Sequence, residues 1–297
     1  MAAQNTLNKT SDRFTASEHL TVGNAQLTDS IPFGGGTLGV SLCVDTAGLT
    51  DLGGIVENRH SNAAAFGANC LLSRTRGTHA APTVVQTGDN IGRLAGLAYD
   101  GTEFVQSAEI RYDVTGTVAA GKTPGQMVLS TADDATGAIQ TAMTISNAQI
   151  ITLAKQPAVI AYMTNTVNNV TGDSTAYTVI FDTETLDRGG NYNLGTGTFT
   201  APVTGLYLFT VQLTTTPGLY TNWIVELVGP SNVKSAKWTG NSSAADGTAN
   251  WTTPSLATHC YLTAADTVTV RFTVTGGAKD VDIIGGQFSK FTAELVG

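Results

Sequence analysis

Charge is scarce in this 297-residue chain: Asp, Glu, Lys and Arg make up only 13% of it, about half the usual fraction. Lys and Arg together number 15 against 23 Asp and Glu, a formal net charge of −8. Neutralising a phosphate backbone needs the opposite excess, so the balance disfavours nucleic acid and none is expected as a partner. Cysteine is also rare. Cys43, Cys70 and Cys260 are odd in number and far apart, which supports neither a disulfide framework nor a CxxC metal site; each is expected to be a buried small apolar residue. His19, His60, His79 and His259 stand singly, so no HxH or HExxH zinc pattern arises. His259 and Cys260 are neighbours, but adjacent residues on a strand face opposite ways, and the histidine cannot activate the thiol locally. No stretch approaches the ~18 apolar residues of a membrane span, so no membrane insertion is expected. The opening Met1–Lys9 is polar and lacks the apolar core of a signal peptide. The chain is therefore expected to be made in a cytoplasm without a cleaved signal.

What fills the space left by charge is Thr, Ala, Gly, Val and Asn, with 41% hydrophobic residues overall. That mixture reads as all-β structure with many turns, and it suits a particle surface or an extracellular surface better than a cytosolic enzyme. The length allows more than one domain. Residues 1–50 are polar and then glycine-rich at Ser30–Thr37, followed by the alternation Leu38, Val40, Leu42; we read them as a docking region. Residues 51–155 carry strand patterns at Ser107–Val114 and Gln126–Thr131, punctuated by Asp100-Gly101 and Pro124-Gly125 turns. Asn62–Gly67 reads as a short helix or a small-residue packing surface. Hairpins this short are marginal alone, and pairing between chains would cover their edges. After a junction at Ala154–Pro157, residues 156–297 show strand patterns at Ala158–Met163, Ala176–Phe181, Gly197–Ala201, Gly205–Thr214, Trp223–Leu227, Val233–Trp238, Ser255–Thr263, Thr267–Thr275 and Gly286–Leu295. Such a series suits a two-sheet jelly-roll sandwich.

The most informative stretch is the series Phe181, Asp187, Tyr192, Phe199, Gly205, Tyr207, Phe209. Its end alternates with period two, so Tyr207, Phe209 and Val211 share one strand face. Thr200–Gly205 before it is a corner with Pro202 and Gly205. The order and spacing resemble the signature of C1q/TNF-like jelly-roll domains, with Val211 where that family usually has another aromatic. Leu262–Val270 is similar to the family's Leu-x-x-Gly-Asp-x-Val strand entry, with Ala265 in place of the glycine. Phe288-Ser289-Lys290-Phe291 resembles its closing strand, with Lys290 where glycine is common. The resemblance spans residues 156–297 and implies a trimeric binding and assembly module. Further upstream, an ordered series runs from Ser73-Arg74-Thr75-Arg76 through Gln86-Thr87-Gly88-Asp89, Tyr99-Asp100-Gly101 and Thr123-Pro124-Gly125 to Met143-Thr144-Ile145-Ser146. It resembles a segment of bacteriophage tail fibres and tailspikes, which implies an intertwined, β-rich trimeric neck.

Several motifs invite chemistry and have ordinary readings beside them. Gly116–Thr123 matches the Walker A spacing, but Pro124-Gly125 follow at once, where a P-loop needs a helix; a glycine hairpin with an exposed Lys122 is the better reading. Asp133-Asp134, Asp182 with Glu184, and Asp280 with Asp282 are carboxylate pairs of the kind a glycosidase needs, and equally the acids of solvated loops. Asp280-Val281-Asp282 also offers period-two oxygens to calcium; otherwise no cofactor is expected. Trp251, with Asn250 and Tyr220, is the candidate ligand-binding set, because aromatic rings flanked by polar residues suit sugars and proteins.

These observations lead to one expectation. The chain is a non-enzymatic bacteriophage fibre protein, a homotrimer. It docks to a phage tail or capsid protein through residues 1–50 and presents three heads to a host cell-surface glycan or protein. A capsid decoration protein without an essential receptor role is the alternative, and a polysaccharide depolymerase a third reading.

Overall fold

The computed structural model describes residues 70–78, 81–216, 221–230 and 251–297, together with the backbone pairing of three further strands, Ser30–Phe33, Gly36–Gly39 and Val233–Thr239. The segment Asn62–Gly67 lies outside the described residues. Among the described residues there is no helix, and the structure is all-β. The chain divides into two compact units, residues 1–140 and 141–297.

In the first unit, three antiparallel strands form the central sheet: Asn90–Tyr99, Phe104–Val114 and Gly125–Ala132. Both of the longer strand patterns read from the sequence lie within it. The outer strand carries register shifts beside Gly92 and Gly96, the positions where a missing Cβ lets a strand bend or a neighbour approach. The Walker-like segment is a tight turn: Ala119 and Lys122 exchange backbone hydrogen bonds of 2.9 Å each around Gly121, whose φ is +71°. No phosphate-binding helix follows it, since the next element is the Gly125–Ala132 strand.

In the second unit two antiparallel sheets face each other. One runs in the order Thr183–Arg188, Ala158–Tyr162, Lys290–Leu295, Gly205–Gln212, Ser255–Leu262. The other runs Tyr192–Asn193, Thr198–Thr200, Thr267–Thr275, Asn222–Val228, Val233–Thr239, with Ala176–Val179 also pairing to Thr267–Thr275. Period-two alternation decides what meets in between. Val268, Val270, Phe272 and Val274 point inward from one sheet, and Tyr207, Phe209, Val211, Phe291 and Ala293 from the other. Each of the nine strand patterns of residues 156–297 has a strand here. The last is shorter than its pattern: Gly286 and Gln287 have φ of +69° and +71°, left-handed backbone that cannot continue a strand, so pairing starts only at Lys290. The short strands Val167–Thr171 and Val281–Ile283 pair as a separate ribbon, which the sequence pattern did not disclose.

Candidate interaction surface

The aromatic series is the frame on which any surface is held, and each member has a physical task. Asp187 sits before Gly189 and Gly190, which take φ of +100° and +67°. Its two carboxylate oxygens accept the N–H groups of Asn191 and Tyr192, each at 2.9 Å. That clamp turns the chain so that Tyr192 enters the core, where its ring stacks on Phe291 at 5.2 Å and its hydroxyl accepts the Phe181 N–H at 3.3 Å. Burial pushes the Tyr192 phenol well above the ordinary tyrosine range. Phe199 meets Tyr207 and Phe209 edge-on at 5.5 and 5.4 Å, the arrangement that aromatic quadrupoles favour. Tyr207 reaches out of the core at one end only, donating its hydroxyl to the Val203 carbonyl at 2.7 Å and so pinning the Pro202 corner. At Gly205 a Cβ would lie 2.6 Å from Leu295 Cδ1 and 2.8 Å from the Gly297 oxygen. Glycine is what lets the closing strand approach. Val211, in the position of the missing aromatic, is itself buried.

Outward from this frame, the sheet containing Gly205–Gln212 presents a face that mixes apolar, hydroxyl and charged side chains. Cross-strand pairing aligns Ile160 with Thr292 and Thr292 with Thr210, and Leu206 with Tyr261. Ile160 and Leu206 are exposed, Tyr261 is 71% exposed, and Thr210 and Thr292 join their hydroxyls at 2.6 Å. Glu294, Lys290 and His259 share that face by alternation.

A second surface feature was invisible in sequence. Trp251 is 51% exposed and Phe288 49% exposed, and their rings meet edge-on at 5.3 Å. The pair is anchored from below. The Phe288 carbonyl accepts the Thr214 hydroxyl at 3.0 Å, and Thr252, next to Trp251, joins its hydroxyl to that of Thr215 at 2.7 Å. The loop-like, polar neighbourhood of Trp251 points to it from sequence; Phe288 has no such signal, because only the fold brings it there. Asn250 and Tyr220, the other two candidate contacts, lie outside the described residues.

The remaining chemical candidates resolve into local structure. His259 is exposed and Cys260 is half-buried against the core on the opposite side of their strand. Cys70 is exposed, contrary to the expectation that all three cysteines are buried. Asp133 caps its own turn, accepting the N–H groups of Ala135 and Thr136 at 2.9 Å each. Asp182 accepts the Thr164 N–H at 2.7 Å, and Asp282 that of Asn169 at 2.8 Å. Among the described residues no group of three or more His, Cys, Asp or Glu is placed to hold a metal ion.

In the first unit the structure brings together an ion network that sequence reasoning missed. Arg76 grips Asp89 with two hydrogen bonds of 2.7 Å, and Arg74 adds a third at 3.2 Å. Arg111 bridges Glu109 at 3.0 Å and Asp113 at 2.9 Å. The signal was present: Glu109, Arg111 and Asp113 alternate along one strand and must share a face.

The chain matches the family model of the C1q domain over residues 161–290. No curated protein matches it in sequence. Among solved structures, the globular domain of zebrafish complement 1qA protein is 17% identical, covering 48% of this chain and 98% of that one, with a TM-score of 0.37. Murine APRIL is 16% identical, covering 48% and 100%, at 0.35. Eiger TNF from S. frugiperda is 15% identical, covering 48% and 94%, at 0.35. The family match and the two facing sheets together make residues 161–290 a C1q/TNF-like jelly-roll domain.

Proposed function

We propose that this chain is a structural fibre protein of a bacteriophage virion, without catalytic activity, that forms a homotrimer and presents its C1q-like heads to the host surface. In this reading residues 1–50 dock to a tail or capsid protein, residues 51–155 form the neck and residues 156–297 the head. The observation that carries the trimer is the set of exposed apolar side chains on the outer face of the head sheet. Ile160 and, in a separate row, Leu206 with Tyr261 stand in solvent on a domain whose own core is already complete, and exposed apolar side chains of this kind are what an association site buries. The ordered series Ser73–Ser146 supports placement on a phage particle. The Trp251–Phe288 pair supports a contact surface for a host glycan or protein, and three copies would raise a weak single-site affinity through effective concentration.

A competition experiment tests the reading. A chain lacking residues 1–50 should stay trimeric in light scattering but fail to join particles, and the head alone, from Lys155 onward, should block phage adsorption. If the head leaves adsorption untouched while particles still carry the protein, the capsid decoration role replaces receptor binding. A monodisperse monomer at micromolar concentration sinks the trimer. Shortening of host polysaccharide by the purified protein would make it a depolymerase.

A further inference from the structure

Thr183–Arg188 is an edge strand of one head sheet and Tyr192–Asn193 an edge strand of the other. Between them lies a cleft of about 590 Å³, within the ~300–1,000 Å³ of small-ligand pockets. Glu184 and Asp187 line it from the first strand, Asn191, Asn193 and Leu194 from the segment opposite, and Thr200 from the strand beyond. Glu184 and Asp187 are three residues apart, and a regular strand would send them to opposite faces. A bulge prevents it. Ile160 pairs with Leu186 and Ala161 with Glu184, so Thr185 is passed over. Glu184 and Asp187 then stand opposite Ala161 and Val159, two residues of the core, and both line the cleft.

The cleft keeps hydrogen-bonding capacity that the fold does not use. Asn191 is only 9% exposed. Its amide nitrogen donates to the Arg188 carbonyl at 2.7 Å, while its amide oxygen accepts no hydrogen bond among the described residues. A polar atom held this deep normally has a partner. Asn193 is the reverse case: its oxygen accepts the N–H groups of Gly195 and Thr196 at 2.9 and 3.1 Å, which leaves its amide nitrogen to donate. The Glu184 carboxylate is exposed and in no ion pair among the described residues, and no Lys, Arg or His lines the cleft.

We propose that this cleft binds an amino sugar of a glycan. Two carboxylates and an open amide oxygen, with no cation beside them, select a protonated amine, because a charge-assisted hydrogen bond is roughly twice as strong as a neutral one. The Asn193 amide and the Thr200 hydroxyl add donors, and hydroxyl groups of a sugar both give and take a hydrogen bond. Half-buried Leu194 offers apolar surface to the C–H face of the ring. The proposal needs only the fold of the head. It involves neither Trp251 nor Phe288, and it does not depend on the fibre reading.

The test is titration calorimetry on the full-length chain at about pH 6, where amines are protonated and carboxylates ionised. The probes are a β-linked hexamer of glucosamine and its fully N-acetylated counterpart, which keeps the rings and loses the charge. The glucosamine hexamer should bind, and the N-acetylated one about tenfold more weakly. Glu184→Gln keeps the shape and removes the charge. It should weaken the first probe about tenfold and leave the melting temperature unchanged. Asp134→Asn removes the same charge from an exposed turn of the first unit and should change nothing. Equal binding of the two hexamers overturns the proposal, and so does a Glu184→Gln variant that binds as the wild type does. An equal loss in Asp134→Asn reduces the binding to the protein's net negative charge and overturns it too. If tetralysine binds more tightly than the glucosamine hexamer and loses that binding in Glu184→Gln, the occupant is a basic peptide and the proposal is wrong. Failure of both hexamers to bind also overturns it. None of these outcomes bears on trimer formation or on attachment to a particle.

Discussion

The two units of this molecule solve the same problem, holding β-strands together in water, by different means. In the second, a contiguous cluster of apolar side chains from Val159 to Ala293 is closed off from solvent within one chain. In the first, Val114 and Val128 are the buried apolar side chains among the described residues, and the interior positions hold Asp89, Glu109 and Ser130. Apolar burial is non-directional and scales with area, so the head needs only the right pattern. An ion network needs geometry as well, and it gains little net stability because desolvation offsets attraction. The head is therefore expected to stand alone and the neck to depend on its partners and on the charge state of its carboxylates.

That contrast can be broken or sharpened. The largest effect should come from Phe209→Ala, which empties a fully buried site touching Phe199, Tyr207 and Phe291. A loss of about 3–5 kcal/mol is expected, read as a large fall in the head's calorimetric transition while uptake in neck peptides stays unchanged. An unmoved transition would mean the head's core is not where the two sheets meet. Asp187→Asn should cost about 1.5–3 kcal/mol, the value of a hydrogen bond to a charged acceptor, because an amide can accept only one of the two N–H groups that Asp187 now holds. Chemical denaturation of the head reads it, and a change below half of that range would remove the clamp from the account.

Acid and base should then separate the units. The Arg76 hydrogen bonds, and next the Gln86 N–H, hold Asp89 far below the usual carboxylate range. Burial pushes Asp113 up, but hydrogen bonds from Asn90, Arg111 and Gln126 outweigh it and leave that group lowered too. A depressed carboxylate contributes its stability in full above its unfolded value of about 4 and loses it as pH falls further. Deuterium uptake in peptides of Phe104–Val114 should therefore rise below about pH 4. In the head, Asp173 is lowered as well but sits at an exposed turn, so its protonation should cost the head little. The buried phenols of Tyr192 and Tyr207 are raised instead; their contribution is complete below about pH 10 and is lost above it, so alkali should melt the head. A neck that outlasts the head in acid would reverse the comparison.

The smallest effect has the opposite sign. Ala265, where the family resemblance has glycine, sits in the Thr263–Asp266 turn with φ of +71°. A Cβ there costs about 1–2 kcal/mol, partly offset by the unfolded-state entropy that glycine adds, about 0.4–1 kcal/mol. Ala265→Gly should stabilise the head by roughly 0.5–1 kcal/mol, visible as a small rise in its melting temperature and none in the neck's acid sensitivity.

Much of the head was legible because its information is local. Phe199, Gly205, Tyr207 and Phe209 lie close together in sequence, and alternation alone sends Tyr207, Phe209 and Val211 to one face. Gly205 reads as the glycine of the corner; that Leu295 and Gly297 come close to it is visible only in the fold. The strand Tyr192–Asn193 escaped the pattern because two residues carry no period, and Val281–Ile283 because it is three residues long beside a turn. In the neck, alternation located the strands Phe104–Val114 and Gly125–Ala132 but not Asn90–Tyr99, and could not say which face is covered. Leu94 reads as a core residue by type, and the structure leaves it half in solvent.

By itself the sequence determined the all-β class, the jelly-roll head with its aromatic series, and the rejection of the P-loop, since each follows from spacing and from the fixed two-residue period of a strand. Only the tertiary structure decided that Trp251 meets Phe288, that Asp89 lies under Arg74 and Arg76, and that the neck hides its charges and shows its leucine. Those outcomes depend on contacts between residues distant along the chain. Period two tells which residues share a face, but which face is buried is settled by what packs against it.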